Sequence, residues 1–150
     1  MKPMILVTAP VQTRSGYGNH ARDICRALIE SDKYDVKIQS VPWGSTPMTA
    51  LDSNDPSHNE IQKRILRQPS LSKQPELHLH IVIPNEFRQF GKKNVGMTAG
   101  IEASIPPAEW IQGCNRMDMT IFTSEFSKFV FENVGFDQLD NNTKQVVGQL

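Results

Sequence analysis

The fold is decided by Ile5-Leu6-Val7-Thr8-Ala9 and by the segment that follows it, Ser15-Gly16-Tyr17-Gly18-Asn19-His20-Ala21-Arg22. The first stretch is apolar and short, which predicts a buried strand. The second places two glycines before a helical pattern whose apolar face carries Ile24, Leu28 and Ile29. Glycine lets a ligand approach the backbone, and the first amides of a helix favour an anion. This strand-to-helix crossing therefore predicts a phosphate-facing loop in an α/β protein.

The rest of the chain repeats the alternation of apolar runs with helical patterns. We predict strands at residues 4–9, 34–41, 77–84, 94–98 and 119–123, and helices at 17–30, 59–67 and 107–117. A last helix is capped by Ser124 and ends at Gly135. Such alternation is typical of an α/β fold with a Rossmann-like parallel sheet and helices on both faces.

Composition excludes several classes of function. The 16 basic and 16 acidic residues cancel, so no strong field favours nucleic acid or an anionic membrane. No apolar run approaches the roughly 20 residues of a membrane span. Two cysteines far apart, Cys25 and Cys114, favour unpaired thiols over a disulfide. A cytoplasmic domain is the expectation.

The glycine loop formally matches G-x-G-x-x-A, a pattern of dinucleotide-binding proteins. In those proteins the first glycine follows the strand at once, and an acidic residue ends the second strand. Here six residues separate Ala9 from Gly16, and the second strand ends in Gln39, Ser40 and Val41. This departure weakens the hypothesis that the chain is a nicotinamide-dependent oxidoreductase. A loop that needs glycine only for its turn is the other alternative.

Polar residues follow the third and fourth predicted strands. In an open parallel sheet, ligands bind beyond the carboxyl ends of the strands, which is where these residues fall. The small residues Thr98, Ala99 and Gly100 beside the carboxylate of Glu102 suit a sugar or another hydroxylated ligand. They are joined at this edge by Asn85 and Glu86.

A purely structural role is open for both carboxylates. Glu86 and Glu102 each have basic residues nearby in the sequence with which they would pair, namely Arg88, Lys92 and Arg116.

The remaining candidate residues are expected to pack in the core. His78 and His80 alternate on one strand, but no third ligand lies at a helpful spacing, so a core position is favoured over a metal site. Phe126, Phe129 and Phe131 are likewise expected to pack inside. No Asp-x-Asp, P-loop, His-Glu-x-x-His or Gly-x-Ser-x-Gly motif occurs, and no metal site is predicted.

Five segments together resemble glycosyltransferases of the two-Rossmann-domain (GT-B) type, and most of all the family-4-like enzymes found in bacteria and their viruses. They are Ser15-Gly16-Tyr17-Gly18, Ile83-Pro84-Asn85-Glu86-Phe87, Gly96-Met97-Thr98-Ala99-Gly100-Ile101-Glu102, Trp110-Ile111-Gln112-Gly113-Cys114-Asn115-Arg116-Met117-Asp118 and Thr123-Ser124-Glu125-Phe126-Ser127-Lys128. Their order and spacing carry the resemblance, which runs from Met4 to about Phe136.

The resemblance implies the N-terminal, acceptor-side half of such an enzyme. A nucleotide sugar would be the donor substrate with no further cofactor, and a second Rossmann-like domain, in cis or in trans, would hold it. Position by position, Gly16, Tyr17 and Gly18 would face the donor diphosphate. Glu102 would be the catalytic or sugar-contacting residue, and the acceptor would lie against Asn85, Glu86, Thr98 and Gly100. Family members often carry a histidine near Glu102, which this sequence lacks.

The resemblance also implies a division of the chain. Residues 1–136 would form the Rossmann-like domain, and residues 137–150 a polar tail or the start of a crossover to a missing second domain. One domain alone would hold a substrate without enclosing the reaction, so the chain by itself is expected to be inactive. A non-catalytic Rossmann-like binding or assembly module is the alternative function. The donor sugar, the acceptor, the stereochemical outcome and the oligomeric state are left open.

Overall fold

A computed structural model describes residues 1–68 and 70–150. The main strands are β1 (Met4–Ala9), β2 (Asp35–Ser40), β3 (Leu77–Ile81), β4 (Lys93–Thr98) and β5 (Met119–Phe122). The helices are α1 (Gly16–Glu30), α2 (Pro56–Arg64), α3 (Ala108–Asn115) and α4 (Glu125–Glu132), with a 3-10 turn at Pro84–Glu86. A small antiparallel hairpin of β6 (Asp137–Leu139) and β7 (Val146–Gln149) ends the described chain.

The five main strands form one parallel sheet in the order β2-β1-β3-β4-β5. β1 is an interior strand, and it pairs with β2 from Met4 opposite Asp35 and with β3 from Ile5 opposite Leu77. All six residues of β1 are buried, as expected for a strand covered on both faces. The predicted α/β class with a Rossmann-like parallel sheet is thus confirmed.

Two apolar clusters cover the two faces of the sheet. On one face, Ile5, Val7 and Ile38 pack against α1 through Ala21 and Cys25. The second cluster joins α3 and α4, and its buried members are Ile111, Val130 and Phe131. Strand residues alternate between faces, so Leu6, Thr8 and His78 lie on the face opposite α1.

Elements differ from the sequence prediction mainly at their ends. The second helix begins at Pro56, three residues before the predicted start, because Asp55 caps it by accepting hydrogen bonds from the Ser57 and His58 amides. The third strand ends at Ile81, three residues before the predicted end, because Pro84 starts a tight turn. Within residues 1–68 and 70–150, no helix has the length and apolar character needed to cross a bilayer.

Two phenylalanines expected to pack inside are on the surface, and that expectation was wrong. Phe126 is 54% exposed and Phe129 60%, whereas Phe131 is buried as predicted. The helical spacing was correct, but α4 turns its buried side, with Ser127 and Val130, toward the sheet. On the neighbouring edge strand Met119 and Ile121 are exposed as well. Four large apolar side chains of β5 and α4 are therefore exposed to solvent.

Residues 137–150 fold back as a hairpin, which the sequence did not predict. Asp140 organises the turn by accepting hydrogen bonds from the amides of Asn142 and Thr143. Phe136 and Leu150 exchange main-chain hydrogen bonds and pack against the α3–α4 cluster. The division of the chain at residue 136 stays a prediction.

Candidate functional site

Three loops meet at the carboxyl edge of the sheet, and Tyr17 connects them. These loops are residues 10–15 after β1, 41–51 after β2 and 99–106 after β4. The Tyr17 hydroxyl lies 3.0 Å from Thr98 Oγ1 and accepts a 3.0 Å hydrogen bond from the Ala99 amide. The glycine loop and the loop after β4, about 80 residues apart in sequence, are therefore held side by side.

The glycine loop opens α1 with a side-chain cap. Ser15 adopts extended backbone angles and its hydroxyl accepts a 3.0 Å hydrogen bond from the Gly18 amide. In the described part of the chain, the amides of Gly16 and Tyr17 have no hydrogen-bond partner. A Cβ built at Gly16 would meet nothing within 4 Å, so a ligand can approach this turn of backbone freely.

Gly18 has a different role in the structure, because it is a packing position. A Cβ there would lie 2.3 Å from the Thr13 carbonyl oxygen and 2.7 Å from Thr13 Oγ1. Its amide is also already engaged by Ser15. The contact of Gly18 with a donor phosphate stays a prediction, and the two unpartnered amides are the ones available to an anion.

Arg22 fixes the loop from below, one helical turn after Gly18. It is only 8% exposed, and its Nη1 donates at 2.9 Å to both the Val11 and the Thr13 carbonyl oxygens. Its Nη2 also donates to Asn19 Oδ1. Burial lowers the pKa of Arg22, yet a guanidinium keeps its proton in proteins. The loop thus has a positive charge beneath it, which favours an anion above.

The loop after β2 forms a second wall beside the glycine loop. The Trp43 ring stacks on Tyr17 with centroids 4.1 Å apart. Arg14 donates to Thr49 through Nε at 3.1 Å and through Nη2 at 3.0 Å. The Ala50 amide donates to Gln12 at 3.0 Å. These contacts keep the two loops together with an aromatic pair between them.

The loop after β4 places small residues next to Tyr17. Thr98 is buried and its hydroxyl accepts a 3.3 Å hydrogen bond from the Gly100 amide. Gly100 has φ +79°, and a Cβ there would lie 2.5 Å from Ser127 Oγ, so both backbone conformation and space require glycine. Of the predicted acceptor residues, Thr98 is thus brought to Tyr17, and Gly100 is hydrogen-bonded to Thr98 two residues farther along the chain.

The two predicted carboxylates and Asn85 lie on the same edge. Glu86 and Glu102 are exposed, and neither forms an ion pair within residues 1–68 and 70–150. Asn85 lies in the 3-10 turn, which packs so tightly on α3 that a Cβ at Gly113 would be 1.8 Å from the Pro84 carbonyl oxygen. The Asn85 carbonyl accepts from Arg116 Nη2 at 3.2 Å. The local pairing considered for the carboxylates is not observed, and their roles stay predictions.

The histidines of β3 belong to the core. His78 is 0% and His80 5% exposed, and burial lowers the pKa of His78 to about 4 and that of His80 to about 3. Both rings contact Arg88 main-chain atoms, its carbonyl through His78 and its amide through His80. In the described part of the chain, no group of three His, Cys, Asp or Glu side chains is placed to hold a metal ion.

The two glycines of the loop should respond oppositely to alanine. We expect Gly18→Ala to lower the free energy of unfolding by about 1 to 3 kcal/mol, because its methyl overlaps the Thr13 carbonyl. Gly16→Ala should leave stability unchanged or raise it by up to about 1 kcal/mol, because the site is open and helical. Urea unfolding of the two variants tests this, and equal stabilities would contradict it.

Neither a protein-family model nor a curated protein nor a solved structure matches this chain.

Sequence reasoning missed two parts of this site. The sequence pattern predicts Arg22 only as a helix residue, although an arginine one turn after a glycine at the start of a helix is a usable signal. Trp43 lies in a proline-rich loop, and no local pattern indicates that it stacks on Tyr17, which is 26 positions away in the sequence.

Proposed function

We propose that this chain is the acceptor-side, N-terminal domain of a glycosyltransferase of the GT-B type that uses a nucleotide sugar. The observation that carries the proposal is the junction at Tyr17, where a helix N-terminus with unpartnered amides lies against the small-residue loop at Thr98. A candidate anion site and a small-residue loop suited to a hydroxylated ligand are then neighbours. Transfer of a sugar from a diphosphate to a hydroxyl requires that combination.

The donor side of the junction suits the leaving group. Departure of a nucleoside diphosphate builds negative charge, and fixed dipoles or cations aimed at this charge lower the barrier. The amides of Gly16 and Tyr17 supply the dipoles, and the buried Arg22 adds a positive charge below them.

The acceptor side offers hydrogen-bonding groups along the same edge. Thr98 and Gly100 would line the acceptor next to Tyr17, with Asn85 and Glu86 farther along the strand ends. The carboxylate of Glu102 is exposed and without an ion-pair partner in the described part of the chain, so it is free to act on an acceptor hydroxyl. We assign it the catalytic role.

A second Rossmann-like domain, in cis or in trans, would complete the enzyme. Closing two domains over the substrates excludes water that would otherwise hydrolyse the donor. We infer a cytoplasmic enzyme, in keeping with two free cysteines, Cys25 and Cys114.

A non-catalytic binding or assembly module is the second candidate. The exposed apolar residues of β5 and α4 favour it, because large exposed apolar groups in proximity mark interaction surfaces. Both functions share a partner-binding surface, and they differ in whether the loop edge binds a nucleotide sugar.

A charge introduced at Gly16 tests the donor site. In thermal-shift titrations with a panel of nucleoside diphosphates and nucleotide sugars, we expect a rise in melting temperature for the wild type. Gly16→Asp should weaken this binding at least tenfold, because a carboxylate about 4 Å from a phosphate costs about 4 kcal/mol at an effective dielectric constant near 20. The helix itself should remain stable, since acidic residues are favourable in a first turn.

Gly16→Ala is the matched control, because it adds a methyl without charge. It should retain binding. Equal binding by the aspartate and alanine variants, or no shift with any nucleotide in the wild type, would remove the donor-site assignment and favour the assembly module.

The chain alone should transfer no sugar. We expect no detectable product from the 150-residue chain with any nucleotide sugar, because one domain does not exclude water from the reaction. Product formation at a rate typical of two-domain transferases would contradict the proposed division of roles, and radiolabelled-donor assays measure it.

A further inference from the structure

A groove of about 370 Å³ lies on the face of the sheet opposite α1. Its floor includes Leu6 and Gln39, which alternate along β1 and β2 with residues packed against α1. Small-molecule sites typically have volumes of roughly 300–1,000 Å³. The groove is therefore large enough for a small organic ligand.

In the described part of the chain, the connection from α2 to β3 contains no helix, and the groove lies where this loop covers the sheet. After α2, Ile65 pairs beside Ile38 at the outer edge of β2, and the Leu66 amide donates to Ile38. The chain then returns to β3, where the Glu76 amide donates to Met4. The two ends of this connection, Leu66 and Glu76, are thus held at β2 and β1, and Leu66 also lines the groove.

The walls of the groove are apolar. Leu66, Leu71 and Phe90 are among the residues that line it. Phe90 is 48% exposed, an unusual position for a large aromatic residue, and its ring packs at 5.1 Å on His78. A flat apolar ligand would cover this ring.

The floor carries a carboxamide held by a buried hydrogen-bond chain. The side chain of Gln39 lies 3.1 Å from Thr8 Oγ1, which lies 2.9 Å from His78 Nε2. His78 Nδ1 in turn contacts the Arg88 carbonyl at 3.0 Å. Thr8 and His78 are both more than nine-tenths buried. One contact with Thr8 leaves Gln39 with both donor and acceptor capacity for a ligand.

The charge at the groove excludes a cationic ligand. Lys73 is at the rim, and no acidic side chain lines the groove in the described part of the chain. A cation would lose its hydration without gaining an ion-pair partner, and Lys73 would repel it.

We propose that this groove binds a small, flat, neutral ligand in which an aromatic ring carries an amide. The ring would lie between Phe90 and the two leucines, and the amide would pair with the Gln39 carboxamide through one donated and one accepted hydrogen bond. This site lies apart from the loop edge of the proposed transferase and does not depend on that function.

Benzamide is the probe. In ¹H–¹⁵N NMR titrations of the full 150-residue chain, we expect shifts centred on Leu6, Gln39 and Phe90. Gln39→Leu should weaken binding at least tenfold, and Leu71→Trp should abolish it by filling the groove. Lys73→Met should leave it unchanged. Backbone amide dispersion shows whether each variant is folded, and Leu71 is at a half-buried position that accepts a larger residue.

Benzoate and benzylamine separate the alternatives. We expect benzamide to bind more tightly than either. Benzoate binding that is tighter and is lost in Lys73→Met would overturn the neutral-amide assignment. Three results would overturn the site itself. Benzamide would cause no shifts, its shifts would centre on β5 and α4, or they would persist in both Gln39→Leu and Leu71→Trp.

Discussion

Acidification from pH 7 to pH 5 is expected to lower the free energy of unfolding by about 4 kcal/mol through His78 and His80 alone. Burial lowers the pKa of His78 to about 4 and of His80 to about 3, against an ordinary value near 6.5. Below pH 6.5 the unfolded chain binds protons that the folded chain does not. The contribution of the two histidines to the free energy of unfolding is therefore fully present above pH 6.5. Below that pH it falls by about 1.4 kcal/mol per pH unit for each histidine, until the pKa of the folded state is reached.

Urea unfolding at pH 7, 6 and 5 measures this loss. Most carboxylates titrate below this window, so the histidines dominate it. His80→Gln should remove about half of the slope relative to the wild type. NMR spectra should show both imidazoles neutral at pH 5. A stability that does not change between pH 7 and pH 5 would contradict the prediction.

Truncating Phe87 should cost about 3 to 5 kcal/mol of stability, the range for a fully buried aromatic. Phe87 is 0% exposed, and its ring occupies the space above Gly96, where a Cβ would lie 2.4 Å from Phe87 Cε2. Gly96→Ala should also be destabilising in the wild type, because the methyl meets the ring. In Phe87→Ala the same methyl enters the cavity left by the ring.

A double-mutant cycle tests this coupling. Phe87→Ala/Gly96→Ala should be more stable than the sum of the single variants predicts, by about 1 kcal/mol or more. Phe126→Ala is the control, because Phe126 is 54% exposed and its truncation should cost less than about 1 kcal/mol. Additive single variants would show that Phe87 and Gly96 do not share this space.

The sequence predicted the fold where local patterns are strong. β1 has the predicted bounds, and Ser15 and Ser124 cap α1 and α4 as their residue types favour. Predictions were wrong where the spacing of apolar residues indicates a helix but does not indicate which side of the helix faces the sheet. The helical spacing of Phe126 and Phe129 is real, yet only the tertiary arrangement decides which side of α4 faces the sheet.

The sequence predicts the location of the site at the carboxyl edge of the sheet, but it does not predict the side-chain contacts within the site. Strand ends of a parallel sheet lie together, which indicated that the loops at Gly16 and Thr98 would be neighbours. The hydrogen bond between the hydroxyls of Tyr17 and Thr98 joins residues 81 positions apart, and no local sequence pattern indicates it. The packing role of Gly18 was hidden for the same reason, since Thr13 meets it only after the loop closes.

The bare outer edge of β5 has a consequence for handling the protein. Met119–Phe122 contains no charge and no proline, the usual guards against strand addition at a sheet border. Such a border is a template on which an extended segment of another molecule can continue the ladder. Concentrated samples of the isolated chain will therefore be prone to self-association, and dilution is the condition in which its ligand binding should be measured.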